Sequence, residues 1–289
     1  MQVHRSLTDR NQIFSFARWL LVVKKHWMEN RKRYGLALLA MLGLSVTWFT
    51  FVLLMTNEHE VPVIIQFMSY FCGLFFIGAL FASSTFSGLA DKGEGIDFLS
   101  LPASHLEKLL CAILFSLFFF FIAFNICFYI VDIPMLKWSR HLIATQYAWQ
   151  DRGTRFVDNY ILNVFTGEGE PPPLRGTAAL IYGFFSLQSA FILGSVYFRR
   201  YAFIKTIVAV LLLMLVGMLF VTKVVESNLP QGGWRLDGIL EWVLFDKPGE
   251  PAYVRLPPWI ENGLIFLMEY SLPVIFCWAA YHRLKEKEV

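Results

Sequence analysis

The sequence predicts an all-α integral membrane protein with six transmembrane helices, and three observations carry that expectation. Hydrophobic residues make up 56% of the 289, charged residues only 16%, and 29 residues are Phe, a composition well outside that of a soluble domain. Six stretches are long and apolar enough to cross a hydrocarbon core of about 30 Å, which takes roughly 20 helical residues. Lys and Arg are unevenly shared between the connecting segments. With both chain ends on one side, 16 of the 25 lie on that side and 9 on the other. By the positive-inside rule the termini are then cytoplasmic.

The spans are read as Tyr34 to Met55, Val61 to Phe86, Glu107 to Val131, Gly176 to Phe198, Ile204 to Thr222 and Gly263 to Tyr281. Residues 1–33 form an N-terminal cytoplasmic region, and residues 34–289 form the six-span domain. The opening MQVHRSLTDRNQIF has no apolar core beside a small-residue cleavage site, so the first span is expected to act as its own insertion signal.

Ahead of that span, Arg10 to Arg33 reads as an amphipathic interfacial helix. Ile13, Phe16, Leu20, Val23 and Trp27 lie on one side and Arg18, Lys25, Glu29 and Lys32 on the other, with Trp19 and Lys24 adding to the candidate interface. The alternative is a simple topogenic anchor. NEHE, from Asn57 to Glu60, is a short acidic turn that makes spans one and two antiparallel neighbours. Glu58, His59 and Glu60 lie too close together in sequence to converge on one cation.

Asp91 to Leu110, DKGEGIDFLSLPASHLEKLL, is a polar, turn-rich segment between two apolar spans. Gly88, Gly93 and Gly95 interrupt any continuous helix. Ser104 and Glu107 then have the S-x-x-E spacing of a capping box, in which hydroxyl and carboxylate each satisfy an otherwise orphaned N–H, and Pro102 holds Leu101 extended. A short surface helix, a corner and then span three is the expected geometry, with an ordinary inner loop as the alternative. The outer loop 132–175 is expected to form a small cap, with Trp138, Tyr147, Trp149, Phe156, Tyr160 and Phe165 packing on themselves or along the interface, and Pro171, Pro172 and Pro173 stiffening its end. The outer element 223–262 has a centre, Gly238 to Phe245, that is too short to span, and it reads as either re-entrant or lying on the surface.

No G-x-x-x-x-G-K-S/T or G-x-S-x-G pattern is present, and the six histidines lack metal-site spacing. No catalytic residue, metal site or cofactor is expected in this chain. All four cysteines fall within spans, which disfavours a disulfide framework. The basic residues lie where anionic lipid head groups would be, so lipids are expected partners and nucleic acid is not. Glu269, with Pro273 four residues on, is an intramembrane carboxylate and by default a functional candidate. Asn125 and Gln188 are candidates of the same kind, with interhelical hydrogen bonding as the alternative.

SLPASHLEKLL, Ser100 to Leu110, and the terminal YHRLKEKEV, Tyr281 to Val289, resemble segments of permease subunits of the type-2 ABC exporter family, in the form found in Bacteroidetes. The layout is similar too, apart from the long outer loop 132–175. The resemblance implies an exporter permease that pairs with a second permease copy and with separate ABC ATPase subunits, which hold ATP and Mg. It also implies that the element after span two is a coupling helix seated on the ATPase. Asp91, Lys92, Glu94, Asp97, Ser104, His105 and Glu107 are then the ATPase-coupling residues, supported by the interfacial set Arg18, Trp19, Lys24, Lys25 and Trp27. The rival expectation is a non-transporting scaffold or sensor whose outer loop binds a partner protein.

Overall fold

The structure, a computed structural model, describes residues 14–55, 61–90, 93, 101–150, 177–198, 200–228, 233–236, 241–247, 250–255, 259, 263, 266 and 270–287. Among the described residues, five helical stretches are long and apolar enough to cross a membrane: Phe16–Met55, Val63–Ser84, His105–Thr145, Leu180–Tyr197 and Ala202–Phe220. This is a multi-pass helical membrane architecture. A helix suits these sequences because it satisfies its own backbone where no water can.

Helix α1 (Phe16–Met55) runs for 40 residues without a break, about 60 Å at the rise of an α-helix. The expected division at Arg33–Tyr34, between an interfacial helix and a first span, is absent. Polarity changes there, but Arg and Lys are good helix formers and no proline follows them. Helix α2 (Val63–Ser84) starts after Pro62, where the missing N–H costs nothing, and ends in a 3₁₀ turn over Ser87–Ala90. Helix α3 comprises three consecutive pieces: His105–Ile113, a π-helical segment Leu114–Phe119, and Phe120–Gln150. Residues 132–150 thus extend the third helix instead of opening a cap loop, and Pro134 lies inside it. The remainder of that loop, 151–176, lies outside the described residues.

Helix α4 (Thr177–Tyr197) turns into α5 (Ala202–Asn228) through Tyr201, whose φ of 56° is left-handed. A three-stranded antiparallel sheet follows, in the order β1 (Gly233–Leu236), β2 (Glu241–Lys247) and β3 (Glu250–Arg255). Gly233 pairs with Phe245 and Glu241 with Arg255, with a bulge between Phe245 and Lys247. The helical class holds, and this sheet is an addition to it. Open sheet edges do not occur facing lipid, so of the two readings of segment 223–262 the surface element fits better than re-entry. Helix α6 (Leu272–Glu286) closes the described chain.

α3 and α4 are the central helices: half of the most apolar stretch of each is buried, against 6% for α5. One core joins α1, α2, α3 and α4 through Phe49, Tyr70, Leu74, Phe124, Phe128 and Phe184. A second gathers Ala82, Phe86, Leu109, Ile192, Val196 and Leu284. That second cluster, with Ser15 bonded to Glu107, places both ends of the described chain at one end of the bundle, here termed basal. α4 and α6 run parallel: Tyr182 meets Tyr270 at 4.9 Å between ring centroids, and the Arg283 guanidinium lies 4.9 Å from the Tyr197 ring centre.

Candidate functional site at the basal end

The capping-box spacing is realised at the start of α3. The Glu107 N–H donates to Ser104 Oγ (3.2 Å), and the Ser104 N–H donates to Glu107 Oε2 (3.0 Å). The other oxygen, Oε1, accepts from the Ser15 N–H (2.7 Å) and from Arg18 Nε (3.3 Å) and Nη2 (3.0 Å). Glu107 has no exposed surface, while the Arg18 side chain is 40% exposed. A buried carboxylate needs a counter-charge and several donors, and α1 supplies both. The tie therefore joins residues 89 and 92 positions apart in sequence, and fastens the first turn of α1 to the first turn of α3.

Above the tie, α1 continues to pack on the π-helical segment of α3. Val22 and Val23 pack against the Tyr34, Cys111 and Phe115 cluster. His26 lies 4.6 Å from Phe115 between ring centroids, and Trp27 lies 5.4 Å from Phe119. Tyr34 Oη and His26 Nε2 are hydrogen-bonded at 2.6 Å, and Thr85 Oγ1 and Ser116 Oγ likewise at 2.6 Å. These groups, with Asn30, Arg33 and Ser84, surround a cavity of about 40 Å³ floored by Phe81 and Phe115. A π-helical turn inside an α-helix is a rare device that often accompanies function. Here it supplies Phe115 and Ser116 to the cavity.

Arg18 was expected on the polar face of a surface helix, opposite Phe16, Leu20, Val23 and Trp27. The packing turns Arg18 and Val23 onto the protein side and leaves Phe16, Leu20 and Leu21 exposed at 64%, 53% and 66%. Trp19 touches Phe16, and Lys25 forms a helical-spacing ion pair with Glu29 at 3.6 Å. Lys24 is exposed, His105 is half-buried and Ser104 is the cap. Asp91, Lys92, Glu94, Asp97 and Glu269 lie outside the described residues. Asn125 accepts from the Tyr70 hydroxyl at 2.9 Å and donates to the Phe121 carbonyl at 2.8 Å, the interhelical bonding weighed as its alternative. Gln188 is 1% exposed, and its amide has no hydrogen-bond partner among the described residues; it lies over Gly78.

Ser15, His26, Tyr34, Thr85 and Ser116 belong to the site and escaped the sequence reading. Arg18, Val22, His26 and Asn30 recur every four residues, one helical face, and that spacing was the available signal on α1. Nothing local in the sequence marks the π-helical turn. No protein-family model, curated protein or solved structure matches the chain.

Proposed function

We propose that this chain is the transmembrane permease subunit of an ATP-driven ABC exporter, coupling hydrolysis by a separate ATPase chain to export. The observation that supports it most is the Ser15–Arg18–Glu107 tie. The polar segment 91–104 leads directly into the turn of α3 that carries Glu107, and Glu107 is held by α1. A displacement of that segment by an ATPase closing around ATP would reach the two longest helices together, through a charge-assisted contact and the aromatic packing above it. Six crossings, with α6 as the last, and cytoplasmic termini agree with the parallel run of α4 and α6 and with the common basal position of the chain ends. A second permease copy has in α5 an apolar helix left largely uncovered by its own chain.

A non-transporting scaffold or sensor remains the second reading, favoured by the continuation of α3 to Gln150 and by the sheet that follows α5. Purification of the tagged chain from its native membrane, with mass spectrometry of what accompanies it, separates the two. A P-loop ATPase in about equal amount supports the exporter; outer proteins without an ATPase support the scaffold. The double change Glu94→Lys, Asp97→Lys should weaken ATPase recovery with membrane insertion intact, and unchanged recovery would overturn the coupling role of that segment.

A further inference from the structure

We infer that the basal cavity between α1, α2 and the π-helical turn of α3 is a binding site for a phosphate group, presented by a lipid headgroup or as the free ion. Its lining is a donor set for an oxyanion. Arg33 brings a guanidinium, Asn30 an amide that keeps one N–H after donating to the His26 carbonyl, and the bonded His26–Tyr34 pair one remaining N–H or O–H, beside the hydroxyls of Thr85 and Ser116, which are bonded to each other. Among the described residues, no carboxylate lines it. Glu29, the acidic residue in the adjoining turn of α1, pairs instead with Lys25 at 3.6 Å.

The space of about 40 Å³ admits roughly three water-sized atoms, which matches the terminal oxygens of a phosphate monoester. The site also stands at the right depth. Arg31, Lys32 and Arg33 are exposed, and the apolar run of α1 begins immediately after them at Tyr34 and Gly35. That boundary is the headgroup level of whichever leaflet faces the basal end, where basic pockets between helices take up lipid phosphates. The inference does not depend on the exporter reading.

The test is thermal unfolding of the full chain in neutral detergent at constant ionic strength. Three probes are titrated: short-chain phosphatidic acid, the matching diacylglycerol without phosphate, and inorganic phosphate. Phosphatidic acid, and not diacylglycerol, should raise the melting temperature of the wild type and of Lys32→Ala. Arg33→Ala should weaken that effect about tenfold, and Ser116→Ala severalfold. Arg33 and Lys32 are both exposed, so neither loss empties the core. Equal protection by inorganic phosphate with the same Arg33 dependence assigns the site to the free ion, and protection by phosphatidic acid alone assigns it to a headgroup. Equal losses in Arg33→Ala and Lys32→Ala, or equal protection by diacylglycerol, would overturn the inference.

Discussion

Glu107 is the residue on which the basal end turns, and the two members of its ion pair make different predictions. Glu107→Gln can keep the capping box through its one carbonyl oxygen, but its amide nitrogen then faces the Ser15 N–H and Arg18, which lose their acceptor and turn to water. Arg18→Met leaves a fully buried carboxylate with only two backbone donors, and an unpaired buried charge costs more than a removed one. Thermal unfolding of the two variants should therefore rank Arg18→Met as the more destabilising, by about 1–2 kcal/mol. The opposite order would mean that Arg18 is satisfied by water and contributes little. At the tight α4–α5 connection, Tyr201 holds a left-handed backbone while its side chain is 75% exposed. Tyr201→Gly removes that strain without losing packing, and should stabilise by about 1 kcal/mol.

Helices in lipid associate through close packing, not through escape from water, so the closest approach between elements sets the most sensitive position. At Gly194 an added Cβ would lie 1.9 Å from Thr206 Oγ1 and 2.8 Å from its Cγ2, pressing α4 against α5. Gly194→Ala should cost about 1–3 kcal/mol, with partial rescue by Thr206→Gly, which removes every contacting atom. Gly217 on α5 meets nothing within 4 Å, and Gly217→Ala should carry no packing cost and raise the melting temperature slightly, because Gly is a poor residue for a helix interior. Burial predicts a similar contrast. Phe184 of α4 is fully buried among Phe75, Phe120 and Phe121, whereas Leu213 of α5 is 59% exposed. Phe184→Ala should cost about 3–5 kcal/mol and Leu213→Ala under about 1.

On the scale of the whole molecule, α1 and α3 are the two longest helices and start together at the base, where the first turn of α1 meets Glu107. α3 runs on past Asp132 to Gln150, with Leu136, Ser139 and Ile143 still buried. The exporter reading then makes a prediction about transmission. When the partner ATPase is reconstituted with this chain, association should change its hydrolysis rate, and Arg18→Met should reduce that change while the two proteins still co-purify. The same modulation with wild type and variant would show that force does not pass through the tie. Equal co-purification also separates this outcome from failed assembly.

Chain composition and local spacing determined the membrane class, five of the six expected apolar stretches and the Ser104–Glu107 cap, because each depends on residues within a single span or turn. Hydrophobic length is local, and so is a hydrogen bond across three residues. The division of α1 at Arg33 misled, since a change of polarity does not stop a helix that has no proline or unsatisfied cap to end it. Only the tertiary structure decided that Arg18 faces inward, that Ser15 and Arg18 complete the shell of Glu107, and that His26 and Tyr34 meet Thr85 and Ser116. Those contacts join residues from separate helices, and their pairing rests on the rotation of each helix about its axis. That rotation is set by where the π-helical turn places Phe115 and Ser116 and by how closely glycines allow neighbouring helices to approach.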